Sequence, residues 1–244
     1  MPQRDELARD LVAASRILAH EGVCDAFGHV SARHPDDPAR YLLARARSPE
    51  LVEFEDIEEY ALDGTPLSPG ARKPFLERFI HGALYEARPD VMSVVHSHSR
   101  TVVAYSVVQE RLRPVMHSCA TIGAEVPVWD ARRCFGDTTL LVCDMPMGRD
   151  LATGLGGGNA VLMRGHGSTT IGRSVREAVY TAVYLEVNAS LQERAGRLGE
   201  VTFLSPGEVE KINARLLHGL PGEGFGRAWD YWCRRAGVPE RAAS

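Results

Sequence analysis

Lysine is almost missing from these 244 residues. Lys73 and Lys211 are the only two, and arginine supplies the rest of the 28 basic side chains. Acidic residues number 32, so the net charge is −4, and no basic cluster is long. A nucleic-acid partner is therefore not expected. Cysteine is sparse as well. Cys24, Cys119, Cys134, Cys143 and Cys233 are odd in number and include no C-x-x-C pair. That excludes a disulfide framework and a cysteine zinc site, and fits reduced thiols in a cytoplasmic protein. No apolar run approaches the ~20 residues that cross a bilayer, so no membrane segment is expected. Arg4, Asp5, Glu6, Arg9 and Asp10 exclude a secretory apolar region at the start. H-E-x-x-H and G-x-S-x-G are both absent, so a zincin protease and a serine hydrolase of the elbow type have no support.

What is present is ordinary globular material, 44% hydrophobic and 25% charged. No repeat or linker interrupts it, so a single domain over residues 1–244 is expected. Leu7, Leu11, Ala14 and Leu18 recur at helical spacing over residues 4–20, and Gly22 ends that helix. Gly28 feeds an alternating strand through Arg33, and strands follow at 41–44 and 57–62. Pro74 suits the first position of a helix running to Ala87, with Glu77 in its first turn and Lys73 placed to pair with Glu77. Residues 91–98 form a strand, 100–107 and 150–155 short helices, and 160–163 and 168–172 two further strands across a glycine turn. Ser174 and Glu177 make a capping box for a helix to Leu198, and another helix spans 205–217. Trp229, Tyr231 and Trp232 in the tail suit an interface cluster. Strands and helices alternate irregularly, so the class is α/β or α+β in layers.

His96 and His98 close the run Val94-Val95. In a strand, residues i and i+2 point to one face, so both imidazoles aim at one place, as a chelating site requires. His166 lies between Gly165 and Gly167, and Glu77 lies nineteen residues before His96. Three imidazoles suit a first-row divalent metal and leave a position open for substrate. Each histidine alone is more often structural, and the pair is the informative feature. His81, four residues after Glu77, reads as a packed, hydrogen-bonded histidine.

Taken together, Gly28-x-x-Ser31-x-Arg33, Glu77 with His96-x-His98, and Gly165-His166-Gly167 resemble the class II aldolase/adducin family. The resemblance covers roughly residues 7–215. It implies an α/β/α layered fold with a central, mostly antiparallel sheet flanked by helices. It also implies a homotetramer with sites at subunit interfaces. It makes His96, His98 and His166 the ligands of one divalent ion (zinc, manganese, iron or cobalt) and Glu77 the carboxylate that binds the metal or works as acid/base beside it. Sugar-phosphate members carry Asn where this chain has His29, a Thr/Ser-Gly loop where it has Arg45-Ala46-Arg47, and a Ser-Ser pair where it has Phe75-Leu76. Phosphate-binding groups are thus replaced by guanidinium and apolar bulk, and arginine matches carboxylates bidentately. The chain is more similar to the family's decarboxylases of hydroxylated aromatic or pyridine dicarboxylates and ring-cleavage products.

The expected reaction is a metal-dependent carbon–carbon cleavage, decarboxylation before aldol cleavage of a non-phosphorylated hydroxy-keto acid. A non-haem iron oxygenase on the same scaffold is the further alternative, and a non-catalytic adducin-like module is disfavoured by the histidines. A metal that stabilises an enolate serves either lyase. His29 is then the second catalytic candidate, and Arg45, Arg47, Ser31, Phe75 and His117 are candidates for binding a small carboxylate substrate.

Overall fold

The computed structural model describes residues 2–68, 70–217 and 224–238. In chain order its elements are α1 (Pro2–His20), β1 (His29–Arg33), β2 (Arg40–Ala44), β3 (Ile57–Ala61), α2 (Arg78–Ala87), β4 (Ser93–Ser97) and α3 (Arg100–Tyr105). There follow β5 (Val128–Trp129), α4 (Arg132–Phe135), α5 (Met145–Leu155), β6 (Ala160–Met163), β7 (Gly167–Gly172), α6 (Val175–Leu198), α7 (Pro206–Leu217) and α8 (Phe225–Arg235).

The strands form one sheet in the order β3-β2-β1-β4-β7-β6-β5. Every neighbouring pair is antiparallel except β5 with β6. The expected layering holds. Alternation along the strands sends Val30, Ala32, Leu42 and Val95 to a face covered by Leu11, Ile17 and Leu18 of α1, Val179 and Val183 of α6, and Trp229 and Trp232 of α8. Tyr41, Leu43, Val94, Val161 and Met163 point the other way, onto Ile80, Leu84 and Tyr85 of α2 and Leu151 and Leu155 of α5. Each such fully buried aliphatic side chain contributes about 1.5–3 kcal/mol, so the sandwich of layers is the main source of stability. No helix among the described residues is long and apolar enough to cross a membrane.

Several local expectations change. Helix α2 begins at Arg78, and Glu77 stands at its N-cap rather than inside its first turn. Pro74 therefore lies in the approach to the helix, and Glu77 faces histidines instead of Lys73. Helix α5 starts five residues early because Asp144 caps it, its carboxylate accepting from the Met147 amide at 2.9 Å. Trp229 and Trp232, expected at an interface, are each only 5% exposed and belong to the core.

Two buried polar devices hold the non-repetitive chain. Gln192 and Asn188 of α6 take the place of a strand for residues 111–115. Gln192 pairs with the Arg113 amide and the Arg111 carbonyl, and Asn188 with the Val115 amide and the Arg113 carbonyl. Arg33, at the end of the first motif, donates to the carbonyls of Pro38, Tyr85, Arg88 and Val91 at 2.7–3.0 Å. It thereby satisfies carbonyls at the C-terminal end of α2 that no helical amide can reach.

Candidate metal centre

The site forms where β4 ends, β1 begins and the β6–β7 hairpin turns. His96 is fully buried on the α2 face of β4, and His98 follows just beyond the strand's last residue. His166 sits in the hairpin turn, entered through Gly165 at φ +67°, a left-handed conformation that favours glycine. Gly167 is required by proximity: a Cβ there would overlap the Ser97 carbonyl and lie 3.0 Å from the His98 ring. Glu77 reaches in from the start of α2. The four donors come together within 4.8 Å of one another.

The finer distances define the chemistry. His98 Nε2 lies 3.1 Å from His96 Nε2 and 3.0 Å from His166 Nε2. Glu77 Oε2 lies 3.4 Å from His96 Nε2 and 3.5 Å from His166 Nε2. His96 Nδ1 sits 3.1 Å from the Ser168 carbonyl, which can only accept, so Nδ1 carries a proton and Nε2 is turned to the other donors. Glu77 Oε1 accepts from the Val142 amide at 3.0 Å, which turns Oε2 toward the histidines. Burial works to raise the Glu77 carboxyl, but His96 and His166 outweigh it and hold it far below the usual carboxylate range. Burial, with His96 and His166 beside it, lowers the His98 imidazole to about 4. An ionised carboxylate and neutral imidazoles are the donor states that a divalent cation binds. The separations of 3.0–3.5 Å also match ligands held at about 2.0–2.1 Å around one first-row ion. The residues fit a metal.

His29 pairs with His96 across β1 and β4, and their rings lie 5.1 Å apart. The Phe75 ring packs 4.4 Å from His29. Phe27, 65% exposed, stands 6.1 Å from His98 on the open side. His29 and Phe75 are the expected site residues that the fold gathers beside the donors, and Phe27 is an addition. The remaining ones go elsewhere. Ser31 is fully buried, turned by strand alternation into α2, where it meets His81 and Tyr85. Arg45 and Arg47 both engage Asp56, each at 2.6 Å. His117 is exposed at the start of a short 3-10 turn and lines a cavity with Tyr180, Tyr184 and Trp232, which none of the four donors reaches. His81 and Tyr85 on α2 are the residues that sequence reasoning did not connect to the site. Their only signal was that Glu77, His81 and Tyr85 recur every four residues on one helical face.

The family model for the class II aldolase and adducin N-terminal domain matches residues 9–192. The chain belongs to that family. It is 32% identical over 245 residues to decarboxylase tropJ of Talaromyces stipitatus, covering 93% of this chain and 92% of that one. It is 32% identical over 248 residues to a 3,4-dihydroxyphthalate decarboxylase of Terrabacter sp., covering 94% and 97%. An aldolase II superfamily protein from Pseudomonas syringae shares the fold with a TM-score of 0.79 at 24% identity, covering 97% of this chain and 94% of that one.

Proposed function

We propose that the protein is a metal-dependent decarboxylase of a hydroxylated aromatic or heteroaromatic carboxylic acid, or of a related ring-cleavage product. The observation that carries the reading is the convergence of three imidazole nitrogens and one carboxylate oxygen within 4.8 Å. The naming of relatives as decarboxylases supports it. His96, His98 and His166, with Glu77, would hold one divalent ion, zinc, manganese, iron or cobalt. Such an ion supplies Lewis-acid stabilisation of the electron pair left when the carbon–carbon bond breaks.

The protein's own groups do the rest. The Ser168 carbonyl and the Val142 amide orient His96 and Glu77 before substrate arrives, so no reorganisation is needed at the reacting centre. Glu77 and His29 would be the groups that move a proton at the site. Phe75 beside His29 forms an apolar wall against which a flat ring packs, and it excludes water from that side. Arg45 and Arg47, turned to Asp56, are given no part in holding the substrate.

The test is carbon dioxide release from 3,4-dihydroxyphthalate and related hydroxylated aryl carboxylates, using protein loaded in turn with zinc, manganese, iron and cobalt. Release that is lost on chelation supports the reading. Oxygen consumption in step with turnover, or aldol products with no carbon dioxide, would overturn it.

A further inference from the structure

Behind His29 runs a buried chain of hydrogen bonds. Its Nδ1 lies 2.6 Å from His81 Nε2. His81 Nδ1 lies 2.6 Å from Ser31 Oγ, and Ser31 Oγ lies 2.7 Å from the Tyr85 hydroxyl. His81 and Ser31 are fully buried, Tyr85 is 1% exposed and His29 6%. Each contact holds one proton, and each neutral imidazole carries one, so the chain has two consistent directions. If protons point away from the cluster, Ser31 donates to Tyr85, and the Tyr85 proton is left in a buried setting with no acceptor among the described residues. If they point toward it, Tyr85 donates to Ser31, Ser31 to His81 Nδ1, and His81 Nε2 to His29 Nδ1. The direction toward the cluster is therefore the one that leaves no buried hydroxyl proton without an acceptor. At the far end, His29 Nε2 has no hydrogen-bond partner among the described residues.

We propose that Tyr85, Ser31 and His81 fix His29 as its Nε2–H tautomer, so that the ring presents a hydrogen-bond donor to an oxygen of the substrate bound at the cluster. His81 is the positioning residue, and Ser31 and Tyr85 set its orientation. The direction of the chain stands whatever the reaction. Its bearing on turnover rests on the decarboxylase reading above. A donor at this point discriminates for substrates carrying an anionic or carbonyl oxygen beside the metal-binding oxygen, as an ortho-hydroxy carboxylate does, and against those carrying an amine there.

Nitrogen-15 histidine spectra of the full, zinc-loaded chain read the tautomer directly, with His29→Gln used to identify the signal. The expected result is a protonated Nε2 and a bare Nδ1 on His29 in the wild type. Tyr85→Phe keeps the ring and removes only the oxygen, and Ser31→Ala removes only the hydroxyl. Both should mix the tautomers and lower kcat by roughly 10-fold or more, with KM and zinc content little changed. Where Ser31→Ala fails to fold, Tyr85→Phe carries the test. A wild-type His29 protonated on Nδ1, or an unmixed Nε2–H tautomer in the folded variants, overturns the proposed direction. Mixed tautomers with unchanged kcat overturn the role in turnover. A wild type that releases no carbon dioxide refutes the decarboxylase reading instead, and the spectra still decide the chain.

Discussion

His98 is the hinge of the donor cluster, since its Nε2 touches the Nε2 atoms of both His96 and His166. Removing it leaves two imidazoles joined only through Glu77 Oε2, one nitrogen donor fewer. His98→Ala is expected to weaken metal affinity by at least about 100-fold, read as metal content after dialysis, with folding retained because His98 lies outside the sheet. Retention of stoichiometric metal would contradict the assignment. Asp56 shows the same logic for stability. Burial alone would raise its carboxyl, but the Glu53 amide and the Arg45 and Arg47 guanidiniums bring it down to about 2. A carboxyl whose folded pKa is depressed stabilises the fold above its unfolded pKa of about 3.9 and loses that contribution as pH falls toward the folded value. Asp56→Asn should therefore be less stable than the wild type near neutrality. The difference, followed by denaturant unfolding, should shrink as pH drops from about 5 to 2. A constant difference over that range would remove Asp56 from the account.

Helix α2 is the element that ties site to scaffold, carrying Glu77 at its cap, His81 and Tyr85 in the buried chain, and Ile80 and Leu84 in the core. Its height over the sheet depends on Gly82, where a Cβ would overlap the Leu62 carbonyl, and on Gly148 of α5, where a Cβ would lie 2.6 Å from the Phe79 carbonyl. Backbone cannot yield as a side-chain tip can. Gly82→Ala is expected to cost about 1–3 kcal/mol or more despite alanine's better helix propensity, measured by urea unfolding. It should also weaken metal binding, because α2 must lift and carry Glu77 with it. A stabilised Gly82→Ala protein would show that the close approach is not needed.

At the scale of the whole molecule, the cluster joins three parts of the chain that are distant in sequence: the start of α2, the end of β4 and the β6–β7 turn. A metal bound there holds only the folded state. At about 100 times its Kd it adds about 2.7 kcal/mol, which in a domain of this size raises Tm by about 5–11 °C. Calorimetry with added zinc or manganese should give that rise, and a chelator should reverse it. An unchanged Tm at saturating metal would be incompatible with a site that joins these elements. Much of this was legible in the residues. The spacing of His96 and His98 places two rings on one strand face, and the motif glycines around His166 mark a close turn, because strand and turn geometry are fixed by residues a few positions apart. By itself the sequence therefore determined most of the elements and the layered class, and its family pattern named the four candidate donors, while β5, α4 and α8 carried no such signal. The tertiary structure decided what lies opposite what: Val142 against Glu77, His81 against His29, Asp56 against the two arginines, and β5 beside β6. Those pairings join residues 9 to 65 positions apart or separate strands. Their energy arises only when the sheet order and helix packing bring the partners into one buried space, which no local periodicity encodes.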